Sequence, residues 1–383
     1  MIPLRRTHQL SVRTRCTIGL AAVLLTGLAA SPVSAQSGAI AFRDECTGRL
    51  YAMRGDGSAR IALPLPPLPQ PTGEYRYWDP WIVDVSTSGP LTVVYYVGIS
   101  RLNQKTFTLV DFGLFAVQLG DVGGVLQPDA GSPVRLTLPS DVGFLGVNPN
   151  IARRGSFSPL RDRLALVADS QTASVLMTAK VDRDASTSKI TGLSDLVVVG
   201  DLYSLGLPDP TLPASKGFTG DVDYSPDGSS IVASIYYDLW LVHLSSENTN
   251  EGADLLTANT DGFAEWKPAY SPDGTRVAYT AGPVTASSGG VSTTDIHSVR
   301  LETRAVTRVT TNKNKGKAAS GRHNAMWRAD GTAIAFSAFT SSTPRSTLVN
   351  SDLFFINADG SNSAAQITNT NGTSVEAWPK WGW

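Results

Sequence analysis

Short apolar runs alternate with tight-turn signals along this chain, and the same phrase returns several times. Tyr-Ser-Pro-Asp-Gly occurs at 224–228 and again at 270–274, and the variant Trp-Arg-Ala-Asp-Gly occurs at 327–331. Each copy leads into a run of alternating apolar residues. Pro presets φ in such a turn, Asp bonds the local backbone and Gly tolerates positive φ, so each copy predicts a β-hairpin.

Two more apolar runs follow each hairpin. After the hairpin around 270–279, for example, they lie at 296–299 and 306–309. Each unit therefore predicts four antiparallel strands. The units recur at a spacing of roughly 45 to 65 residues. Such a repeat of short-strand units predicts a β-propeller.

The two chain ends predict how the ring closes. Residues 378–381, Trp-Pro-Lys-Trp, match a first strand with nothing after it, whereas the runs at 38–42, 50–53 and 60–63 match second, third and fourth strands with nothing before them. Joined, they complete one blade and remove the free sheet edges. With two degenerate copies, the prediction is an all-β, six-bladed β-propeller of four-stranded antiparallel blades, closed by pairing of the N- and C-terminal strands. The predicted blades, within a propeller domain at 36–383, span 376–383 with 38–63, 75–138, 150–193, 217–257, 264–310 and 323–369.

The repeat has the form aromatic-Ser-Pro-Asp-Gly-x-x-apolar-Ala-aromatic, with Asp-Gly-Ser at 56–58 and 359–361. This pattern resembles the propeller repeats of the periplasmic TolB family. The match is good in three blades and in the closure blade, and poor between 75 and 215. It implies an exported binding or scaffolding propeller, without the α/β domain that precedes the propeller in TolB, because the first blade begins directly after the signal. Similar repeats occur in prolyl-oligopeptidase-type enzymes. Those enzymes also carry a hydrolase domain, and we expect this chain to be too short to contain one beside the propeller.

The first 35 residues predict a cleavable signal peptide. Four arginines precede an apolar stretch at 18–30, and Val33-Ser34-Ala35 offers small residues to a signal peptidase. The apolar stretch is too short for a comfortable membrane span, and no Cys follows at a lipidation position. We therefore expect a periplasmic or secreted protein, cleaved near Ala35, with no membrane span. A twin-arginine signal at Arg5-Arg6 is the alternative to general secretion.

The net charge and the cysteine content limit which partners and which covalent crosslinks this chain can have. Without residues 1–35 the chain carries 28 basic and 33 acidic residues, a net charge of −5. Phosphate binding requires a basic surface, so no nucleic-acid partner is expected. Cys46 is the one cysteine left, so an intramolecular disulfide is excluded, and a free thiol or a bond to another molecule are the alternatives. We expect a monomer stabilised by its core.

The predicted site is the mouth of the central channel, on the face that carries the long loops. The loops at 98–111, 281–294 and 338–351 are long, whereas the Pro-Asp-Gly turns of the opposite face are short. First strands line the channel of a propeller, and aligning them on their aromatic residue places the candidate ligand-binding residues at this mouth. They are Trp78, Asp79, Arg153, Arg154, Asp221, Glu265, Trp266, Lys267, Arg322, His323, Asn324, Glu376 and Trp378.

Mixed charge beside three tryptophans suits a peptide, a carboxylated sugar or a cell-wall fragment. The expected partner is therefore a protein, a peptide or a cell-envelope component, and no cofactor is expected. The alternative is a water-filled channel whose charges neutralise each other and whose tryptophans pack between blades.

Motifs for catalysis and metal binding are weak. His243, His297 and His323 fall at different positions of their blades, and neither His-Glu-x-x-His nor a paired-Cys motif occurs, so no metal site is expected. Gly-x-Ser-x-Gly is absent. Glu265 with Glu376 would serve as acid and base if they faced each other across the channel. The sequence favours a binding or scaffolding module; the alternative is a propeller enzyme, either a lyase or a glycan-acting hydrolase.

The signal pattern predicts that the exported protein begins at or near Gln36, because cleavage after Ala35 removes the basic and apolar segments together. N-terminal sequencing of the exported form measures this start. An intact Met1 recovered from the cytoplasmic fraction would contradict the prediction.

Overall fold

The fold is seen in a computed structural model that describes residues 38–44, 47–69, 75–87, 90–103, 106–138, 148–152, 154–169, 173–205, 220–257, 263–283, 294–311, 322–339, 351–368 and 376–382. These residues form six antiparallel sheets. The innermost strands of the sheets contact one another in a closed ring. The predicted all-β, six-bladed β-propeller is confirmed. The predicted signal peptide and Cys46 lie outside the described residues.

The strands are numbered along the chain and grouped by blade. Blade 1 contains β1 (Ala39–Asp44), β2 (Arg49–Arg54), β3 (Ile61–Ala62) and the last strand, β25 (Glu376–Gly382). Blade 2 contains β4 (Tyr75–Ser86), β5 (Leu91–Asn103), β6 (Thr106–Val122), β7 (Val125–Pro128) and β8 (Val134–Leu136). Blade 3 contains β9 (Arg154–Phe157), β10 (Arg163–Asp169), β11 (Ser174–Arg183) and β12 (Ile190–Asp201).

The remaining three blades each have four strands. Blade 4 contains β13 (Val222–Tyr224), β14 (Ser230–Ile235), β15 (Asp238–Leu244) and β16 (Asn250–Thr257). Blade 5 contains β17 (Phe263–Tyr270), β18 (Arg276–Pro283), β19 (Asp295–Arg300) and β20 (Val306–Arg308). Blade 6 contains β21 (Arg322–Trp327), β22 (Ala333–Phe339), β23 (Ser351–Asn357) and β24 (Ala365–Gln366).

Helical structure is confined to two short segments of the described chain, a 3-10 helix at Pro149–Ile151 and an α-helix at Leu202–Leu205. Among the described residues, no helix has the length and apolar character needed to cross a membrane.

The ring closes as predicted, by pairing the two chain ends. In blade 1, β25 lies beside β1, with Ile40 opposite Trp381 and Ala41 opposite Lys380. A sheet assembled from both ends of a chain leaves no unpaired edge inside the ring. The last strand of the sequence is therefore the innermost strand of the first blade.

Blade 2 departs from the prediction in two ways. The segment 98–111 was expected to be a loop, but its described residues, 98–103 and 106–111, belong to β5 and β6, with Ile99 opposite Asp111 and Asn103 opposite Thr106. Apolar and β-branched residues continue past Gly98, so strand propensity does not end there. In addition, β8 pairs with β6 as a fifth strand, so the expectation of four strands was wrong for this blade.

The hydrophobic core lies between the blades rather than inside any one of them. In β10, Leu164 and Leu166 pack against blade 2, whereas Ala165 and Val167 pack against blade 4. Successive side chains of a strand point to opposite faces of its sheet, so each blade contributes to two interfaces. Ile40 packs in the same way against blade 6, so the closure seam is also hydrophobic.

Polar side chains in three first strands hold the backbone of the next blade. Asp84 of blade 2 accepts a hydrogen bond at 2.7 Å from a backbone N–H of blade 3. Ser156 of blade 3 accepts one at 3.3 Å from blade 4, and Asp223 of blade 4 accepts one at 2.7 Å from blade 5. The donors are the aromatic residues that end the next first strand, Phe157, Tyr224 and Tyr270. We call Asp84, Ser156 and Asp223 the clasp residues.

The other seams use different groups. Ala269, which holds the equivalent place in blade 5, has no polar side chain, and its carbonyl instead accepts a hydrogen bond at 3.0 Å from Trp327 Nε1 of blade 6. Lys380 of blade 1 reaches across the channel, where its Nζ donates to the carbonyl of Gly155 in blade 3 at 3.3 Å. The ring is therefore joined near its axis by polar contacts as well as by the apolar seams.

The Pro-Asp-Gly turns form as predicted. Asp227 accepts hydrogen bonds from the hydroxyl of Ser225 at 2.6 Å and from the N–H of Ser229 at 3.0 Å. Gly228 has a φ of 76°, which a residue with a side chain adopts only at a cost. Asp273 makes the same bonds in blade 5. These turns are self-contained, because the Asp side chain satisfies the local backbone.

Replacing Asp223 with Ala should lower the free energy of unfolding by about 2 to 4 kcal/mol, because a buried backbone N–H and the Ser156 hydroxyl both lose their acceptor. Asp223→Asn, which retains one acceptor oxygen, should lose less. Chemical denaturation of both variants measures the effect.

The matched control is Asp254→Ala, which removes an exposed carboxylate paired with His243 and should cost less than about 1 kcal/mol. Equal stability of Asp223→Ala and Asp254→Ala would show that the clasp contributes nothing.

Candidate functional site

A cavity lies at the centre of the ring and is lined by first strands of all six blades. Its volume is about 70 Å³, which is room for a few water molecules or for one small chemical group. Its walls combine the aromatic side chains of Trp81 and Trp327 with several charged groups. This cavity is the candidate functional site.

Four residues that line the cavity come from four consecutive blades and hold equivalent positions, three residues before the aromatic end of the first strand. They are Arg154, Asp221, Lys267 and Asn324, which precede Phe157, Tyr224, Tyr270 and Trp327 respectively. We call them the channel quartet. All four were among the candidates predicted from the sequence, and the structure brings them together at the cavity.

β-Bulges in two first strands determine the positions of two members of the channel quartet. The pairing register shifts between Trp266 and Ala269 in β17 and between His323 and Met326 in β21. Lys267 and Asn324 lie in these bulges with φ values of 55° and 59°. A bulge re-aims a side chain, and a left-handed backbone at a residue other than glycine is strained and often found at functional sites. The same bulge with a left-handed residue therefore occurs in the first strands of two adjacent blades.

An ion network joins three members of the quartet. Lys267 Nζ lies 2.6 Å from Asp221 Oδ1, and Arg154 Nε lies 3.6 Å from the same oxygen. Arg154 also pairs with Asp169 at 3.1 Å. The Lys267 ammonium lies over the ring of Trp81, 5.2 Å from its centroid, in a cation–π contact.

A glycine makes room for this network. Gly220 directly precedes Asp221 and has a φ of 107°. A Cβ at this position would lie only 2.7 Å from Arg154 Nη1, so any larger residue would displace the guanidinium. The close approach of Arg154 to Asp221 therefore depends on Gly220.

The network controls the charge states of its members. Burial by itself would raise the pKa of Asp221, but the Lys267 ammonium and the Arg154 guanidinium outweigh it, so that the pKa lies below its usual value. Burial lowers the pKa of Lys267 to about 8, although Asp221 opposes this shift. Asp221 is therefore ionised at neutral pH, and Lys267 is charged but close to its titration range.

Asn324 is held firmly, yet its amide is incompletely bonded. Its backbone N–H donates to Thr280 Oγ1 at 3.0 Å, and its Nδ2 donates to Ser337 Oγ at 3.3 Å. Only 5% of the residue is exposed. In the assigned orientation of the amide, Asn324 Oδ1 has no hydrogen-bond partner within the described residues. A buried acceptor without a donor is costly and is suited to a ligand that supplies one.

Glu265 and Trp266 were also predicted at the channel mouth, but neither lines the described cavity. Glu265 accepts a hydrogen bond from the hydroxyl of Thr257 in blade 4 and interacts with the hydroxyl of Tyr279. Burial raises the pKa of Glu265 to about 7. Both residues are buried, and Glu265 joins blades 4 and 5 through these contacts.

Seven other predicted residues lie outside the described residues, either entirely or by their side chains. Arg153 lies outside the described residues. The backbones of six more belong to β4, β21 and β25, but their side chains lie outside the description: Trp78, Asp79, Arg322, His323, Glu376 and Trp378.

The cavity contains residues that the sequence analysis did not select. Trp81, Asp84, Ser156, Asp223 and Lys380 all line it, as do two prolines of the turns. The lining therefore runs from the channel quartet towards the Pro-Asp-Gly face. The signal that marks the clasp residues is a polar side chain inside an apolar strand, as in Ile-Val-Asp-Val at 82–85.

Candidate metal ligands are scattered. Across the described part of the chain, no group of three or more His, Cys, Asp and Glu side chains is arranged to hold a metal ion. His243 pairs with Asp254 at the surface. His297 is in β19 of blade 5, where burial lowers its pKa.

Comparisons with known proteins agree on the fold only. No family model matches the sequence, and no curated protein matches it. Among solved structures, TolB from Acinetobacter baumannii has a TM-score of 0.49 at 13% identity, over 91% of this chain and 67% of that chain. A chain of a nidogen/laminin complex also has a TM-score of 0.49, at 6% identity, over 90% of this chain and 98% of that chain.

An enzyme belongs to the same group of similar structures. Oligogalacturonate lyase from Vibrio parahaemolyticus has a TM-score of 0.39 at 13% identity, over 85% of this chain and 83% of that chain. The chain thus resembles both TolB and a lyase. Similarity at these values does not distinguish one function from another.

Glu265 should make stability depend on pH. Its pKa rises from 4.5 in the unfolded chain to about 7 in the folded protein, so its favourable contribution is complete below pH 4.5 and is lost as the pH rises through 7. Relative to Glu265→Gln, the wild-type free energy of unfolding should therefore fall by about 3 kcal/mol over this range.

Chemical denaturation of the two proteins at several pH values measures this difference, with Glu247→Gln, an exposed position, as the control. A constant difference between wild type and Glu265→Gln from pH 4.5 to 8 would contradict the prediction.

Proposed function

We propose that this chain is an exported binding propeller that holds part of a protein, peptide or cell-envelope ligand in its central channel. The observation that carries the proposal is the convergence of the channel quartet. Four consecutive blades aim polar side chains at one cavity, and two of them use a strained bulge to do so. Ring closure alone does not require such residues, because the clasp residues and the apolar seams already join the blades.

The chemistry of the quartet favours recognition over catalysis. Asp221 is tied to Lys267 and Arg154, and an ionised, ion-paired carboxylate is a poor general acid. Glu265, whose raised pKa would suit an acid, bonds Thr257 away from the cavity lining. The alternative of a lyase or glycan-acting hydrolase was based on channel carboxylates, namely Glu265 with Glu376, and Glu265 is engaged by Thr257 outside the cavity lining.

Export is part of the proposal and is supported by the basic, apolar and small-residue pattern of residues 1–35. A ligand from the cell envelope or the extracellular space would be available to such a protein. The acidic balance of the chain without its signal is consistent with a partner other than nucleic acid.

Channel and turn variants should separate binding from stability. Lys267→Met should weaken capture of the ligand by about tenfold or more, because a charged donor is lost from the channel. It should also lower the melting temperature, because buried Asp221 keeps only Arg154 as a charged partner in the quartet. Asp227→Ala and Asp273→Ala on the turns should lower stability by about 1 kcal/mol each and leave capture intact.

The measurement is quantitative capture from the envelope fraction of the native host on immobilised wild type and each variant, with a thermal melt of every protein. Folded turn variants that lose capture, while Lys267→Met retains it, would place binding outside the channel and contradict the proposal.

A further inference from the structure

Lys380 occupies an unusual position in the channel. It holds the place in β25 that the clasp residues hold in blades 2 to 4, but its charge is positive. Its one direct hydrogen bond is to the uncharged carbonyl of Gly155, and within the described residues it forms no ion pair with a carboxylate. The carboxylates of Asp223 and Asp221 lie near enough to interact electrostatically with Lys380, but neither forms an ion pair with it. A half-buried ammonium group whose one direct bond is to a carbonyl can still bind an anion.

The acidic residues of the cavity are already engaged. Asp84 and Asp223 accept backbone N–H groups of neighbouring blades, and Asp221 is shared by Lys267 and Arg154. Lys380 interacts with Asp221 and Asp223 through its charge only. Four cationic and three acidic side chains line the cavity, so its formal balance is positive. A bound anion would complete this balance without breaking a clasp.

The side-chain oxygen of Asn324 would accept a hydrogen bond from a ligand that carries an N–H or O–H group. Asn324 lines the cavity, and its Oδ1 is buried with no donor in the described part of the chain. Its strand, β21, contacts β25, which carries Lys380. The site therefore offers a cation for an anionic group and, in the adjacent blade, an acceptor for a neighbouring N–H. Trp81 and Met326 supply apolar surface between the polar groups.

We infer that the channel captures the free C-terminal carboxylate of a peptide. Lys380, together with Lys267, binds the carboxylate, Asn324 Oδ1 accepts the N–H of the last residue, and the last side chain packs against Trp81. A peptide end carries this N–H two bonds from its carboxylate, whereas an acetate-like anion has none. The cavity volume of about 70 Å³ has room for the carboxylate group but not for a chain that continues through, so the last side chain lies outside the cavity, along the half-buried Trp81.

This inference rests on the proposed function and names the group that the channel recognises. The probes are three small molecules titrated into the full mature chain by calorimetry: N-acetyl-Ala-Leu with a free carboxylate, the same dipeptide as its C-terminal amide, and 4-methylpentanoate, which keeps the carboxylate and the leucine side chain but lacks the N–H.

The free acid should bind about tenfold more tightly than the amide, because the amide loses the charge-assisted bonds, and about fivefold more tightly than 4-methylpentanoate. Equal affinity of acid and amide, or no binding of either at millimolar concentration, would overturn the inference. If 4-methylpentanoate bound as tightly as the peptide acid, a simple carboxylate would be the ligand and the peptide assignment would be wrong.

Variants locate the site. Lys380→Met should reduce the affinity for the free acid by about tenfold and leave the weak binding of the amide unchanged. Lys180→Met, the same change at an exposed position of blade 3, is the matched control and should change neither. If Lys380→Met does not fold, Asn324→Leu should remove the preference for the peptide acid over 4-methylpentanoate.

Failure of this inference is distinguishable from failure of the proposed function. Suppose that the peptide acid and its amide bind equally well, but the Lys267→Met variant still loses capture of an envelope component. This result would reject recognition of the carboxylate and would support the proposal that the channel binds a ligand. A Lys380→Met protein that folds and binds the acid as wild type does would also reject the assignment.

Discussion

The hydrogen bond from the backbone of one first strand to a side chain of the preceding blade is the interaction on which the centre of this propeller depends. Near the axis, the first strands of adjacent blades lie side by side without a shared ladder. Their inward backbone groups would be buried without partners, which costs free energy comparable to a lost hydrogen bond. Asp84, Ser156 and Asp223 supply those partners at three successive seams.

This constraint separates the polar residues of the channel into two layers. The clasp residues lie next to the aromatic end of each first strand and are committed to the neighbouring backbone. The channel quartet lies two residues earlier, and in blades 5 and 6 a bulge lies between the two positions and re-aims the quartet side chain. Three of its members, Lys267, Asp221 and Arg154, contact one another, whereas Asn324 donates to Thr280 and Ser337. The clasp layer joins neighbouring blades, and the quartet layer lines the central cavity.

The backbone distortion at Lys267 and Asn324 fits this division. A regular strand would satisfy the pairing of β17 and β21 without left-handed residues, yet both strands are bulged at the quartet position. The strain is tolerated because the flanking residues are fixed in the interblade core, where Tyr270 and Trp327 are almost fully buried. Rigid apolar seams therefore support an irregular, polar centre.

Local sequence determined the repeat, the hairpin turns and the closure of the ring, because turn chemistry and strand periodicity act over a few residues and the incomplete units at 38–63 and 376–383 complement each other. Aligning first strands also identified Arg154, Asp221, Lys267 and Asn324 as inward residues. Only the tertiary structure decided that Glu265 bonds Thr257 of another blade, that 98–111 extends a hairpin, and that Lys380 reaches Gly155 across the axis. These outcomes depend on which groups of distant strands meet and on bulges that shift the register, and neither is encoded in the spacing of residues along one strand.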